Sequence, residues 1–222
     1  MAVFKKGING AFSGTIGNTV GSSWRHIDYM RSLPKPSKKP ASPAQLAQRA
    51  KFALAVSFLR SIKPLLNLGF SDKMRGKQTG YNQALKVMIA NAIVGEYPDF
   101  TIDYANVVLA QGGLNPAPSA VLEQTAPGQL ALSWEPITNK YTSFADDEAV
   151  VVVYNVSKRF MNVYDGIERS VGSMDIAVPS SFEGDELVAW VFMVHRDGEK
   201  TSDSVFAGTL VLAGETEPDP EP

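Results

Sequence analysis

The residues best equipped for chemistry are few and scattered. His26 and His195 are the two histidines, more than 150 positions apart, without the helical pair spacing of a zinc site and with no cysteine to assist them. A structural or surface role is the simpler reading for both. Asp146-Asp147-Glu148 is the densest acidic run, but it lacks the alternating ligand spacing of a calcium loop and reads as a solvated loop. Gly7, Gly10, Gly14, Gly17 and Gly21 invite a phosphate-loop reading. No Gly-Lys-Ser or Gly-Lys-Thr follows them, and the first clear helix starts some twenty residues later. Ser22 and Ser23 do not sit in a Gly-x-Ser-x-Gly elbow. The expectation is no catalytic residue, no cofactor, no metal and no evident small-molecule substrate: a protein that is not an enzyme.

A second group of residues suits binding. Trp24, Arg25, Tyr29, Arg31, Lys35, Lys38 and Lys39 interleave guanidinium and ammonium groups with two aromatic rings, a mixture that meets phosphates and stacks on bases. Arg49 follows on the first helix, off its apolar stripe. The charge distribution sharpens this. Residues 1–90 hold fifteen bases against Asp28 and Asp72, a net +13, whereas residues 91–222 hold six bases against 21 acids, a net −15. Such a division attracts a polyanion, an anionic surface, or the acidic half of a neighbouring copy.

These residues depend on the elements that carry them. Thr and Val between the glycines favour strands, with Trp24, Tyr29 and Arg31 on a hairpin around Arg25 to Asp28. Leu33-Pro34-Lys35-Pro36-Ser37-Lys38-Lys39-Pro40 is an extended basic connector, because proline fixes its own φ and biases its predecessor away from the helix. Ser42-Pro43-Ala44-Gln45 then marks a helix start, with Leu46, Ala50, Ala53, Leu54 and Phe58 as its buried stripe. Pro64 is expected to break that helix near Ile62, with a short capped turn over residues 65–70. A second helix is expected from about Tyr81 to Val94, ended by Gly95. Phe100 to Tyr104 should be a strand that Val107 to Leu109 continue. Beyond Gly112-Gly113-Leu114-Asn115-Pro116-Ala117-Pro118, alternating runs recur at residues 120–124, 129–134, 149–156, 160–164, 173–178, 187–195 and 205–212, enough for a β-sandwich.

This gives an α+β chain in four parts. They are a glycine-rich β arm with its basic Pro-rich connector (1–41), a helical region with a closing strand (42–112), a sandwich (116–213) and an acidic Pro-rich tail (214–222) expected to be disordered alone. The N-terminus lacks the apolar run of a signal peptide, and no apolar stretch is long enough to span a membrane. The default expectation is a cytoplasmic protein, with extracellular or virion-associated assembly as the alternative.

Leu130-Ala131-Leu132-Ser133-Trp134-Glu135-Pro136 resembles the second strand of a fibronectin type III domain with its core tryptophan. Gly198-Glu199-Lys200-Thr201-Ser202-Asp203-Ser204 resembles the turn before that domain's last strand. The resemblance implies an immunoglobulin-like sandwich, departing from the pattern where Leu187 stands in place of a tyrosine. Gly14-Thr15-Ile16-Gly17, Tyr29-Met30-Arg31-Ser32 and the run from Ser42 to Phe52 (SPAQLAQRAKF) are similar to a bacterial family, common in Bacteroidetes, catalogued as a domain of unknown function. That resemblance covers the whole chain and implies no catalytic residues. The expected function is a structural protein that self-associates into a homo-oligomer, its arm pairing with another subunit's acidic sandwich. The alternative is a module that binds nucleic acid or another polyanion through the basic half.

Overall fold

The computed structural model describes residues 2–4, 12–24, 27–36, 39–73 and 78–214, and the chain divides into two compact units, Met1–Pro43 and Ala44–Pro222. The acidic tail beyond Gly214 lies outside the described residues.

The first unit is an antiparallel sheet of four short strands, β1 (Ala2–Phe4), β2 (Gly14–Ile16), β3 (Thr19–Trp24) and β4 (Ile27–Ser32), in the order β1-β4-β3-β2. The β2–β3 hairpin closes over Gly17 and Asn18, and Gly17 takes a left-handed φ of +57°, which glycine adopts without steric cost. Pairing of Trp24 with Ile27 makes the expected second hairpin. Among the described residues of this unit only Gly21 is buried, because small residues alternate along β2 and β3 and leave little to pack.

The second unit is built around a sandwich. Strands β7 (Val121–Ala126), β8 (Gln129–Ser133) and β11 (Ser173–Ala177) form one sheet in the order β11-β8-β7. Strands β9 (Glu148–Asn155), β10 (Phe160–Glu168), β12 (Glu186–Val194) and β13 (Val205–Val211) form the other, in the order β10-β9-β12-β13. Each falls on an expected run. The two central strands of the larger sheet are apolar at nearly every position because both faces are covered. Ala149, Val151, Val153, Leu187, Ala189, Val191 and Met193 enter the sandwich core with Trp134, Leu130 and Ile176. The alternate residues Val150, Val152, Tyr154, Val188, Trp190 and Phe192 pack against the helical region instead.

That region comprises α1 (Pro43–Leu59), α2 (Lys63–Gly69) and α3 (Gly80–Asn91), followed by a hairpin of β5 (Ile93–Glu96) and β6 (Asp99–Ile102). Pro64 stands in the first turn of α2, after a 3-10 turn at Arg60–Ile62 that interrupts the helix as expected. Residues 65–70 are therefore mostly helix rather than the short capped turn expected. The buried stripe of α1 differs from the expected one. Ala55, Phe58 and Leu59 are buried, while Leu46 and Ala53 are exposed, because α1 meets the sheet only along its C-terminal half.

Helix α3 starts on a Thr79 cap whose Oγ1 accepts the Asn82 amide at 3.3 Å. It stops at Asn91 instead of running to Val94. Ile93 and Val94 are β-branched and pair with Ile102 and Thr101, a use of the backbone that a helix would forgo. Val107 to Leu109 form no strand, since a 3-10 turn at Tyr104–Asn106, capped by Asp103, redirects the chain.

The segment rich in Gly and Pro after Ala110 is tightly bonded. The Gln111 amide donates to the Gly69 carbonyl (2.8 Å) and the Leu114 amide to the Thr201 carbonyl (3.0 Å). The Gly112 amide reaches Asp203 Oδ1 (3.1 Å), the Gly113 amide Asp72 Oδ2 (3.0 Å), and Thr201 Oγ1 donates to the Gly69 carbonyl (3.1 Å). A Cβ on Gly112 would collide with the Thr201 carbonyl, so the missing side chain lets the connector lie against the loop before β13.

Candidate interaction site

Antiparallel register decides which arm residues meet. Trp24 stands opposite Ile27, Ser22 opposite Tyr29 and Val20 opposite Arg31, so all six share one face of the sheet. Three of the residues expected to bind, Trp24, Tyr29 and Arg31, are thus brought together. Trp24 is 60% exposed and Ile27 45%, Tyr29 is half-buried and Arg31 exposed. Lys35 lies on the extended, exposed connector and Lys39 near its end. Arg25 and Lys38, like His26, lie outside the described residues. Arg49 is exposed on α1, in the second unit.

The acidic run is not the solvated loop expected of it. Asp147 is fully buried, its Oδ2 accepting from Arg169 Nε at 3.1 Å and from the Phe144 amide at 2.9 Å. Arg169 is also fully buried, and its terminal nitrogens donate to the Asn115 carbonyl (2.8 Å) and the Pro116 carbonyl (3.3 Å). Burial pulls the Arg169 guanidinium below its ordinary value and Asp147 opposes that pull. The Arg169 carbonyl accepts from Trp134 Nε1 at 3.0 Å. Asp146 pairs outward with Arg196 (2.8 Å). The acidic run therefore ties the turn before β9 to Arg169 and Arg196. Among the described residues no group of three His, Asp or Glu side chains is placed to hold a metal ion. His195 stacks edge-on against Phe144 and pairs with Asp197 at 2.9 Å, a structural role. Asn155-Val156-Ser157 matches a glycosylation acceptor, but Asn155 is buried and its amide donates to Asp185 (2.8 Å).

Sequence reasoning missed an aromatic group between the helices and the larger sheet. Phe58, Tyr104, Tyr154 and Trp190 pack with centroids 4.9 to 6.3 Å apart, and Trp190 Nε1 donates to the Tyr104 carbonyl at 3.1 Å. Burial first, then Tyr154 and Glu186, push the Tyr104 phenol up to about 12, against an opposing pull from Arg159. Burial also raises Tyr154, again with Arg159 pulling the other way. The members come from four distant segments, and no local pattern joins them.

A three-stranded β11-β8-β7 sheet facing a four-stranded β10-β9-β12-β13 sheet, with Trp134 in the core between them, is a sandwich of the fibronectin type III kind. Solved structures similar to it include a fibronectin type III domain of human collagen alpha-1(XX), at 14% identity over 49% of this chain and 94% of that one, TM-score 0.39. The fifth such domain of Drosophila Lar is similar at 11% identity over 46% and 98%, TM-score 0.32. A domain of human contactin 1 is similar at 7% identity over 50% and 87%, TM-score 0.35. The chain belongs to the family of unknown function DUF6266, whose model matches residues 11–208. No curated protein matches it. Among the described residues no helix is long and apolar enough to cross a membrane.

Proposed function

We propose that this protein is a non-catalytic assembly module. Its N-terminal arm, residues 1–41, docks on the acidic second unit of another copy. The observation that carries the reading is the arm's exposed face, where Trp24 and Ile27 share one side with Arg31 on a sheet in which, among the described residues, only Gly21 is buried. Such a sheet gains most by burying its apolar residues against a partner. The charge supports the same pairing. Residues 1–43 hold seven bases and one acid, a net +6, and residues 44–222 hold fourteen bases and 22 acids, a net −8. Attraction between unlike units of two copies is met either reciprocally, in a closed pair that exchanges arms, or head-to-tail, in a ring or filament. In this reading residues 42–112 cover the sandwich of residues 116–213, and the acidic tail of 214–222 adds to its negative field.

The test is light scattering of the full chain at low and high salt, beside Trp24→Ser and Arg31→Glu variants. The expected result is an oligomer that either substitution shifts to monomer and that high salt weakens. A monomer at high concentration and low salt removes the reading.

A second reading is favoured by the same face, because Trp24, Tyr29 and Arg31 stand together as a ring-and-guanidinium surface. A single-stranded nucleic acid would stack on the rings and place phosphates on the bases. Binding that falls steeply with salt and with replacement of Lys38 and Lys39 is its signature. No mobility shift of DNA or RNA at low salt excludes it.

A further inference from the structure

Between α1, β6 and the turn joining β9 to β10 lies a half-open cleft of about 380 Å³, lined by Leu54, Ser57, Phe58, Ile102, Tyr104 and Tyr154, with Thr101, Val156 and Arg159. The volume sits at the small end of ligand sites, which run from roughly 300 to 1,000 Å³. The lining has two parts. Leu54, Phe58, Ile102 and Val156 supply its apolar part, and Arg159 with the phenols of Tyr104 and Tyr154 its polar part.

Arg159 is the informative residue. No carboxylate among the described residues lies within ion-pair distance of it, yet its charge acts on the hydroxyls of both Tyr104 and Tyr154. It ends the four-residue turn between Asn155 and Phe160 with a left-handed φ of 54°. That turn is pinned. Asn155 Oδ1 accepts the Lys158 amide (2.8 Å), Asn155 Nδ2 donates to Asp185 (2.8 Å), and Lys158 Nζ pairs with Asp185 (2.6 Å) while lying over the Phe182 ring. The backbone that carries the guanidinium is therefore held in place before any ligand arrives.

We propose that this cleft binds a small organic monocarboxylate with an aromatic or branched apolar body. The carboxylate meets the planar fork of Arg159 and the Tyr154 hydroxyl, and the body rests on Phe58, Leu54 and Ile102. Both phenols stay protonated at neutral pH; the Tyr104 hydroxyl donates to the Tyr154 oxygen, which leaves the Tyr154 hydroxyl as the donor to an anion. One cation suits one negative charge. Arg159 is the one cation among the described residues of the lining, so a dianion such as a phosphate monoester leaves a charge uncompensated and fits worse.

The experiment is a titration of the full chain with phenylacetate, and separately with phenylacetamide and inorganic phosphate, followed by amide chemical shifts. The expected result is saturable phenylacetate binding that moves the amides of residues 101–104 and 156–159, with weaker binding of phenylacetamide and none of phosphate. Arg159→Asn, which tolerates the left-handed backbone, is expected to weaken phenylacetate about tenfold, the scale of a lost charge-assisted hydrogen bond. Arg159→Lys should lose less, and Arg196→Asn, at an exposed arginine paired with Asp146, should change nothing. The proposal fails if no saturable binding occurs up to about 10 mM acid, far weaker than useful affinity. Equal binding of acid and amide, competition by phosphate, or an Arg159→Asn variant with unchanged affinity also overturns it. The outcome is independent of oligomeric state, which the same samples report separately by their linewidths.

Discussion

At the scale of single residues, Arg169 and Asp147 show how a charge run can mislead. Three consecutive acids suggest a surface, yet the middle one is buried against an arginine 22 positions away. Nothing in the local pattern of Glu168-Arg169-Ser170 marks that arginine as the partner. Removing one member leaves the other charged and desolvated, so Asp147→Ala is expected to cost about 3–5 kcal/mol in denaturant unfolding. Asp147→Leu with Arg169→Met removes the uncompensated charge but orphans the Phe144 amide and the Asn115 and Pro116 carbonyls, so it should recover only part of that loss.

Asp185 offers a pH test. Hydrogen bonds from Asn155, then Lys158, hold its carboxyl below the usual aspartate range. A depressed carboxyl adds stability that is complete above the unfolded value near ~4 and is lost as pH falls through the lower folded value. Thermal unfolding of the Asp185→Asn variant should therefore show a shallower acid limb than the parent. Tyr104 works in the opposite direction. Its phenol, pushed up to about 12, favours the folded state fully below the unfolded value near ~10, and that contribution is lost as pH rises between the two. Tyr104→Phe should flatten the alkaline limb.

Among the elements, the seven sandwich strands and the start of α1 were legible because alternation and capping are local signals. Helix α1 starts at Pro43, directly after Ser42, and each expected sandwich run is a strand. The end of α3 was not legible, since Ile93 and Val94 continue a helical stripe and gain strand pairing only from residues 99–102. The cleft was invisible for a related reason. Leu54, Tyr104, Tyr154 and Arg159 meet through tertiary packing, and each reads alone as an ordinary helix, turn or strand residue. The same holds for the segment around Gly112, whose composition reads as a boundary and whose bonds tie it to the loop before β13. Gly112→Ala is expected to destabilise by about 1–3 kcal/mol through its clash with Thr201. Gly113→Ala is the control, since its Cβ would meet only Asp72 Oδ2 at an ordinary 3.7 Å, and should move the unfolding midpoint little. The arm's strands were anticipated, and register alone brought Trp24, Tyr29 and Arg31 to one face.

For the whole molecule, the layering of the second unit matters more than any one contact. In a sandwich standing alone, the outer face of each sheet is open to water. Here the outer face of β9 and β12 is closed by α1, α2 and the chain from Tyr104 to Ala110. Phe58→Ala, on the helical side of that layer, should cost about 3–5 kcal/mol and lower the stability of the sandwich along with the helices, because they share one sheet. Separate unfolding transitions for helices and sandwich in this variant would show that the cover is independent of what it covers.

Closure on both faces also sets a timescale. Solvent deuterons reach the amides of residues 149–154 and 187–193 only when a whole layer lifts away, since each strand is hydrogen-bonded to neighbours on both edges. These amides should be the slowest in the chain to exchange, at the rate of global opening, while those of β2 exchange through local fraying. The centre of the larger sheet thus acts as a built-in clock for the unfolding of residues 44–222.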